Sequence, residues 1–507
     1  FLSMQLEGAI TLAESLKSTL GPKGQDKILL SASGTGAAIT ITNDGATIMK
    51  SIHVDIPAAQ LLINLSQVQD KEIGDGTTSV CVLTGCLLKE AVKLLEAGLH
   101  PMTIISGFRK SCEIAKKALI ESSVDHKADP KKFYETLMNV ARTCLSSKIL
   151  HHNKELFSKL AVDAVLKLEG DTDLTLIQII KKSGSSLADS YLDDGFIMDK
   201  QIGIGCPRQC EDCKIMIANT PMDTDKIKIY GSQVCVKSAS DMAAIERAEQ
   251  KRMEDKCQKI IDCGVNVFVN RSLVYDIPMQ YLSRHNVMVI EHADFEGVER
   301  LSSVCGGEIA STFDHPELLK IGHCDKIEEC VIGEDRLIRF SGVHHSKAST
   351  IVLRGASSHI LEEAERSLHD ALCVLSQTIG ESEVVFGGGC SEMLMAKAVD
   401  DAARIVEGKE SLAMEAYATA LRSIPGILAE NGGMDSSDII AALRAAHYKG
   451  DIRAGLDITT GGVGDMEEIG ITESLKSKRQ VLISASEAAE QFLRVDDVLV
   501  CEPERGP

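Results

Sequence analysis

Tryptophan is absent from this 507-residue chain, and aromatic residues make up only 4% of it. Its cores must be built from Ala, Leu, Ile and Val, a composition that suits helix-rich packing. No apolar run is long enough to span a bilayer. Basic charge is in deficit: 54 Lys and Arg stand against 74 Asp and Glu, a net charge of −20. That balance argues against nucleic acid or an anionic membrane as the main partner. No secretory signal pattern opens the chain, whose first residue is Phe1 rather than an initiator Met. The Walker A pattern is missing, and no Gly-x-Gly-x-x-Gly opens a βαβ unit. Any nucleotide site here is of another kind.

What is present is ordinary in bulk. Hydrophobic residues are 44% and charged residues 25%, as in soluble globular proteins. The length calls for two or three domains. Sixteen cysteines are scattered along the chain, which reads as reduced cytosolic thiols, hence a cytoplasmic location, rather than a disulfide framework. Cys206, Cys210 and Cys213 could suggest zinc, but zinc takes four ligands and no obvious fourth is near. A thiol-rich loop is the preferred reading. The pairs His151-His152 and His344-His345 read as surface.

The stretch that organises the chain is Gly74-Asp75-Gly76-Thr77-Thr78-Ser79. It leads into Val80, Leu83, Leu87, Leu88, Ala91, Leu94 and Leu95, which recur at helical spacing. A helix N-terminus offers unpaired N–H groups and a positive dipole end, which suits a phosphate. Gly76 lets backbone approach an anion closely. Thr77, Thr78 and Ser79 can donate hydroxyl hydrogen bonds. Asp75 would repel a bare phosphate, so a cation belongs between them, and Mg²⁺ fits. The plainer alternative is a helix capped by Asp and Thr.

Other turns share this character. A helix carrying Ile10, Ala13, Leu16 and Leu20 on one face stops at Gly21-Pro22, and Lys23-Gly24 completes a rigid turn. Lys27 to Leu30 and Ala38 to Thr42 read as strands around a Ser/Gly turn. Asn43-Asp44-Gly45 is a turn signal, or else an Asp aimed into a cleft from a strand end. Ser146, Ser147 and Lys148 form a hydroxyl-rich loop, exposed by default. Asp370 lies just beside the apolar face of a helix from Ala356 to Gly380, either solvated or at a domain interface. Gly387-Gly388-Gly389 stands between the strand-like Val384-Phe386 and a helix that opens at Ser391.

The texture is helix-rich at both ends, with helices at Pro57–Val68, Val80–Gly98, Met102–Ala118, Phe133–Leu145, Lys154–Leu168 and Leu475–Arg494. Three more run from Glu392 to His447. Between the ends, short strands at Ile215–Asn219, Lys226–Ile229, Val265–Asn270 and Val287–Glu291 alternate with helical stretches such as Ala243–Ile261. Leu174–Lys182, Leu337–Ser341, Ser349–Arg354 and Val498–Cys501 add strands, and Asp193-Asp194-Gly195 a turn. The expected fold is multidomain α+β: a domain assembled from both termini, with an α/β domain inserted in the middle.

Leu20-Gly21-Pro22-Lys23-Gly24, Thr42-Asn43-Asp44-Gly45-Ala46-Thr47, Gly74-Asp75-Gly76-Thr77-Thr78 and Gly387-Gly388-Gly389 occur in the order found in group II chaperonins. The sequence resembles that family over essentially its whole length. Phe313 to Leu318, Gly388 to Met393 and Gly470 to Ser474 resemble one subunit type of its eukaryotic cytosolic branch. The resemblance implies an equatorial ATP-binding domain (1–124 and 382–507). It also implies an intermediate hinge (125–192 and 347–381) and an apical client-binding domain (193–346) with a lid protrusion near Lys226 to Asp262. It further implies a hetero-oligomeric double ring of paralogous subunits that folds unfolded client proteins such as actin and tubulin, with ATP/ADP and Mg²⁺ as ligands.

By the same resemblance, Gly21 contacts the phosphates, Asp75 holds Mg²⁺, and Gly76, Thr77, Thr78 and Ser79 cradle the phosphates. Asp44 faces the γ-phosphate, and Asp370 orients the attacking water. Ser146 and Ser147 lie at the nucleotide, with Lys148 as a γ-phosphate sensor. Gly388 packs on the nucleoside, and Glu473 and Lys478 close its other side. From the residues alone, a small-molecule phosphotransferase and a non-hydrolysing scaffold stay open beside this reading.

Overall fold

The computed structural model describes residues 2–30, 39–54, 56–168, 170, 172–193, 195–222, 239–313, 319–343 and 349–497. The expected Ser/Gly turn after Leu30, the strand Lys226–Ile229 and Val498–Cys501 lie outside the described residues. So do the start of the lid protrusion, Asp194, the His344-His345 pair and the Asp314–Leu318 stretch. The chain divides into two compact units, residues 1–162 with 362–507, and residues 163–361.

The first unit is a helical stack around the helix Thr77–Glu96. Val80, Cys81, Val82, Leu83, Leu87, Leu88 and Ala91 are all buried. This helix is apolar nearly all round for more than two turns, which is the pattern of a central core helix. Leu94 and Leu95 are only partly buried, where its far end nears the surface. Leu2–Leu16, Pro101–Glu121, Glu410–Asn431 and Leu475–Arg494 surround it. The buried face of the first helix is Leu6, Ala9, Ala13 and Leu16, with Ile10 only half-buried at its margin. In the core of this unit, buried Tyr417 is satisfied through its hydroxyl by Ser486 at 2.7 Å and packs edge-on against Phe108.

Among the described residues this unit has three small sheets, of which one joins distant segments. Lys27–Leu30 pairs antiparallel with Ile39–Thr42. Glu383–Phe386 lies between Thr472–Ser474 and Val124–Asp125. Ala454–Asp457 pairs with Gly462–Asp465.

The second unit is built on sheets. Among the described residues, a seven-stranded sheet runs Phe196–Met198, Asp335–Val343, Gly322–Ile332, Gln209–Ala218, Val267–Asn270 and Met288–Ile290, with Ile309–Ala310 added on Gln209–Ala218. Its parallel strands Val267–Asn270 and Met288–Ile290 are buried along their length, as strands covered on both faces require. A second sheet sets Ser349–Gly355 between Ile177–Ser183 and Tyr191–Asp193. The expected thiol-rich loop is corrected here: Cys210 and Cys213 belong to the strand Gln209–Ala218, and buried Cys213 faces buried Cys324 across the ladder. No helix among the described residues is long and apolar enough to cross a membrane.

Candidate nucleotide site

The first unit contains a cavity of about 780 Å³, within the range that small-molecule sites occupy. Gly21, Asp44, Asp75, Gly76, Thr77, Thr78, Ser79, Ser146, Ser147, Lys148, Gly388, Glu473 and Lys478 all line it. Asp370 is not on its wall. It stands behind Lys148, and the two side chains form an ion pair that is nearly withdrawn from solvent.

Local chemistry places each group. Gly74 and Gly76 both adopt positive φ, +77° and +76°, a region that side chains disfavour. The resulting turn delivers Thr77 as the first helical residue, so the free N–H groups of that end open on the cavity wall. The Asp75 carbonyl accepts from Gln69 Nε2 at 3.0 Å, but its carboxylate takes no hydrogen bond from the described residues and is partly exposed. Its carboxylate is thus an open oxygen donor beside an anion-attracting helix end, the donor set that Mg²⁺ favours. The residues present therefore fit a magnesium-bound phosphate.

Asp44 combines both sequence readings. It follows the strand Ile39–Thr42 by two residues and caps the short helix Gly45–Ser51, accepting from Ala46 N at 3.2 Å and Thr47 N at 2.9 Å. The Thr47 and Thr77 hydroxyls donate to it as well, at 2.7 and 3.1 Å. Burial alone would push its carboxyl up, but the Lys148 charge and the bonds from Thr47 and Ala46 hold it below the usual range.

Around Lys148 the exposed-loop reading fails. Lys148 is buried because the loop folds inward, with the Asn43 side chain donating to the Ser147 carbonyl. Burial would lower its ammonium, yet the carboxylates of Asp370, Asp75 and Asp44 push it up. Burial in turn raises the Asp370 carboxyl to about 8; Lys148 opposes that rise, and Asp44 and Asp75 add to it. Ser146 donates to the Thr143 carbonyl at 2.7 Å and Ser147 to the Cys144 carbonyl at 3.4 Å. Both serines line the cavity with their protons already committed to the preceding helix.

At the opposite wall, Gly388 and Gly389 take positive φ, +64° and +79°, and start the helix Cys390–Ala403. Lys478 bridges Glu392 at 2.5 Å and Glu473 at 2.8 Å. Burial pushes the Glu473 carboxyl up, with Lys478 opposing and Glu392 reinforcing the rise. Glu392 went unassigned in the sequence, although it is the third residue of a helix opened by the glycine triplet, where a carboxylate favours the helix dipole. Asp457, Thr459 and Asn139 also line the cavity unforeseen.

These turns meet in one place. Residues 12–503 match the TCP-1/cpn60 chaperonin family. The chain belongs to that family. It is 58% identical over 496 residues to T-complex protein 1 subunit beta of Dictyostelium discoideum, covering 98% of this chain and 93% of the relative. The Homo sapiens subunit beta is 58% identical over 498 residues (98% and 93% covered) and the Saccharomyces cerevisiae one 52% over 497 (98% and 94%). Members of this family are ATP-driven chaperones, and the chain is a chaperonin subunit.

One contact tests how tightly the phosphate turns are fitted together. A Cβ on Gly45 would lie 2.7 Å from Thr78 Oγ1, 2.8 Å from Thr78 N and 3.0 Å from its Cα. Gly45→Ala must therefore push the Asp44 turn away from the Thr77 helix. The expected result is a roughly tenfold loss of nucleotide affinity, since sub-ångström misplacement is costly in such sites. Equilibrium titration with a labelled nucleotide measures it, and unchanged affinity would show that the two turns need not touch.

Proposed function

We propose that this chain is an ATP-hydrolysing subunit of a cytoplasmic, hetero-oligomeric double-ring chaperonin, in which hydrolysis drives closure over unfolded client proteins such as actin and tubulin. In this reading, residues 1–124 and 382–507 form the equatorial nucleotide domain, 125–192 and 347–381 the hinge, and 193–346 the client-binding domain. The observation that carries the reading is the convergence of Asp44, Asp75 and the glycine turns at Gly21, Gly76 and Gly388 on one cavity, with the Lys148–Asp370 pair at its edge.

The chain's own groups divide the work. The amides at the start of the Thr77 helix, with Thr77, Thr78, Ser79 and Gly21, hold the phosphates. Asp75 would hold Mg²⁺, which supplies charge neutralisation between that carboxylate and the phosphate oxygens. Asp44, kept ionised by Lys148 and its capping bonds, faces the γ-phosphate from one side. Lys148 is shared: when it turns to the γ-phosphate, the Asp370 carboxylate is released from its partner and accepts a proton from the attacking water. Gly388 packs on the nucleoside, and Lys478 fixes Glu473 on its far side.

The test is magnesium dependence. Nucleotide should bind the wild-type chain more tightly with Mg²⁺ than with chelator, and phosphate should be released from ATP without any added acceptor. Asp75→Ala should abolish the magnesium effect, a loss of roughly 10- to 100-fold. Equal affinity in wild type and variant would remove the metal role. Absence of phosphate release would replace the enzyme by a nucleotide-stabilised scaffold.

A further inference from the structure

The helix Ser358–Gly380 carries a second buried carboxylate on the Asp370 side. Glu363 lies seven residues before Asp370, so the two project within about 20° of each other, roughly 10 Å apart along the axis. Glu363 is only 6% exposed, and Thr42 is fully buried against it. Its two oxygens have different partners. Oε2 accepts from Arg366 at 2.9 Å. Oε1 accepts from the Thr42 hydroxyl at 3.2 Å. The same Thr42 oxygen accepts the backbone N–H of Asp44 at 3.1 Å.

This chain of bonds has a fixed direction. An ionised carboxylate can only accept, so the Thr42 proton points at Glu363 and a lone pair is left facing the Asp44 amide. That amide belongs to the residue whose carboxylate faces the cavity. A serine or threonine hydroxyl with no such acceptor rotates freely and holds its neighbour less well. Burial pushes the Glu363 carboxyl up while Arg366 and the Thr42 bond hold it down, so the group sits in an environment where each partner counts.

We propose that Glu363 is a positioning residue for Asp44, acting through the Thr42 hydroxyl. It ties the turn carrying Asp44 to the helix carrying Asp370, so that both carboxylates take their places at the nucleotide together. Movement of this helix would withdraw Asp370 and loosen Asp44 in one event. The inference rests on the ATPase reading above, and it adds a residue that neither the glycine turns nor the cavity wall reveals.

The experiment uses the full-length chain and five forms: wild type, Glu363→Ala, Thr42→Val, their double variant, and Glu363→Gln. Phosphate release gives kcat, and titrations with ADP and with ADP plus aluminium fluoride give ground-state and transition-state affinities. Glu363→Ala and Thr42→Val should each lower kcat roughly tenfold, and weaken the aluminium fluoride complex alike, while ADP affinity stays within about twofold. The double variant should be no worse than either single one, because both break the same chain of bonds. Glu363→Gln, which keeps an accepting oxygen, should retain most activity. Losses that multiply in the double variant, or an unaffected Glu363→Ala, would overturn the proposal; Thr42→Val, nearly isosteric, keeps it testable if Glu363→Ala does not fold. Asp44→Ala run in parallel separates the two readings. If it does not slow hydrolysis, the role of Asp44 falls and this inference with it. If it does while Glu363→Ala does not, the inference alone falls.

Discussion

Asp370→Ala should leave nucleotide affinity near its wild-type value and slow phosphate release by roughly 10²–10⁴-fold, the contribution of a positioned general base. Asp370 is not on the cavity wall, so its loss removes no contact that holds the ground-state nucleotide. It does remove the partner of Lys148, but that ammonium still faces Asp75 and Asp44, which limits the structural damage. Asp370→Asn, of the same shape, should fold normally and show the same kinetic loss. Single-turnover hydrolysis beside equilibrium binding makes the comparison. Turnover at the wild-type rate in both variants would take Asp370 out of the chemistry and leave it a structural counter-ion for Lys148.

Lys148→Met should have the largest effect on the nucleotide-free protein. Three carboxylates surround one buried ammonium, and removing one side of a buried pair costs about 3–5 kcal/mol. The sign with pH follows from Asp370. Its folded carboxyl is raised to about 8, so the folded chain keeps a proton that the unfolded chain has lost. Stability from this group is complete below the ordinary carboxylate range and declines as pH rises toward 8. Lys148 opposes the rise, so without it the carboxyl moves higher still and the decline continues after the wild type has levelled. The gap between variant and wild type should be smallest near pH 5 and widest above pH 8, as read by the thermal midpoint across that range. A gap independent of pH would mean that Lys148 stabilises by packing its stem rather than by its charge.

Much of the fold could be read from local pattern. The helix Leu475–Arg494 is found at its expected bounds, because an apolar stripe starts at Leu475 and a closing Arg ends it. The helix Ser358–Gly380 likewise buries Leu361, Ala364, Leu368, Ala371, Leu372 and Leu375 as their spacing requires. The strand Gly322–Ile332 was invisible for the opposite reason. Its polar residues His323, Asp325, Lys326, Glu328 and Glu329 dilute the apolar alternation, and only pairing on both sides makes it a strand.

In the site, glycine turns announce themselves because a positive φ restricts which residue can serve. Glu363 does not, since in Leu361-Glu362-Glu363-Ala364-Glu365-Arg366 it reads as one more solvated charge. What sets it apart is Thr42, 321 positions away. Ser146 and Ser147 line the cavity as a sequence reading allows, but that each hydroxyl proton is given to the helix it follows is visible only in the structure.

The small sheet in which Glu383–Phe386 joins Thr472–Ser474 to Val124–Asp125 has a consequence for biosynthesis. At ribosomal speeds of about 5–20 residues per second, the interval between the emergence of Val124 and Ser474 is roughly 20–70 seconds. The unit spanning 163–361 is contiguous and can mature in that interval. The first 162 residues cannot, because the segments that cover Val80, Leu87 and Phe108 have not yet been translated. A nascent chain halted before residue 383 should therefore present a folded α/β unit beside a sticky, protease-sensitive amino-terminal third, which the cell has to shield until translation ends.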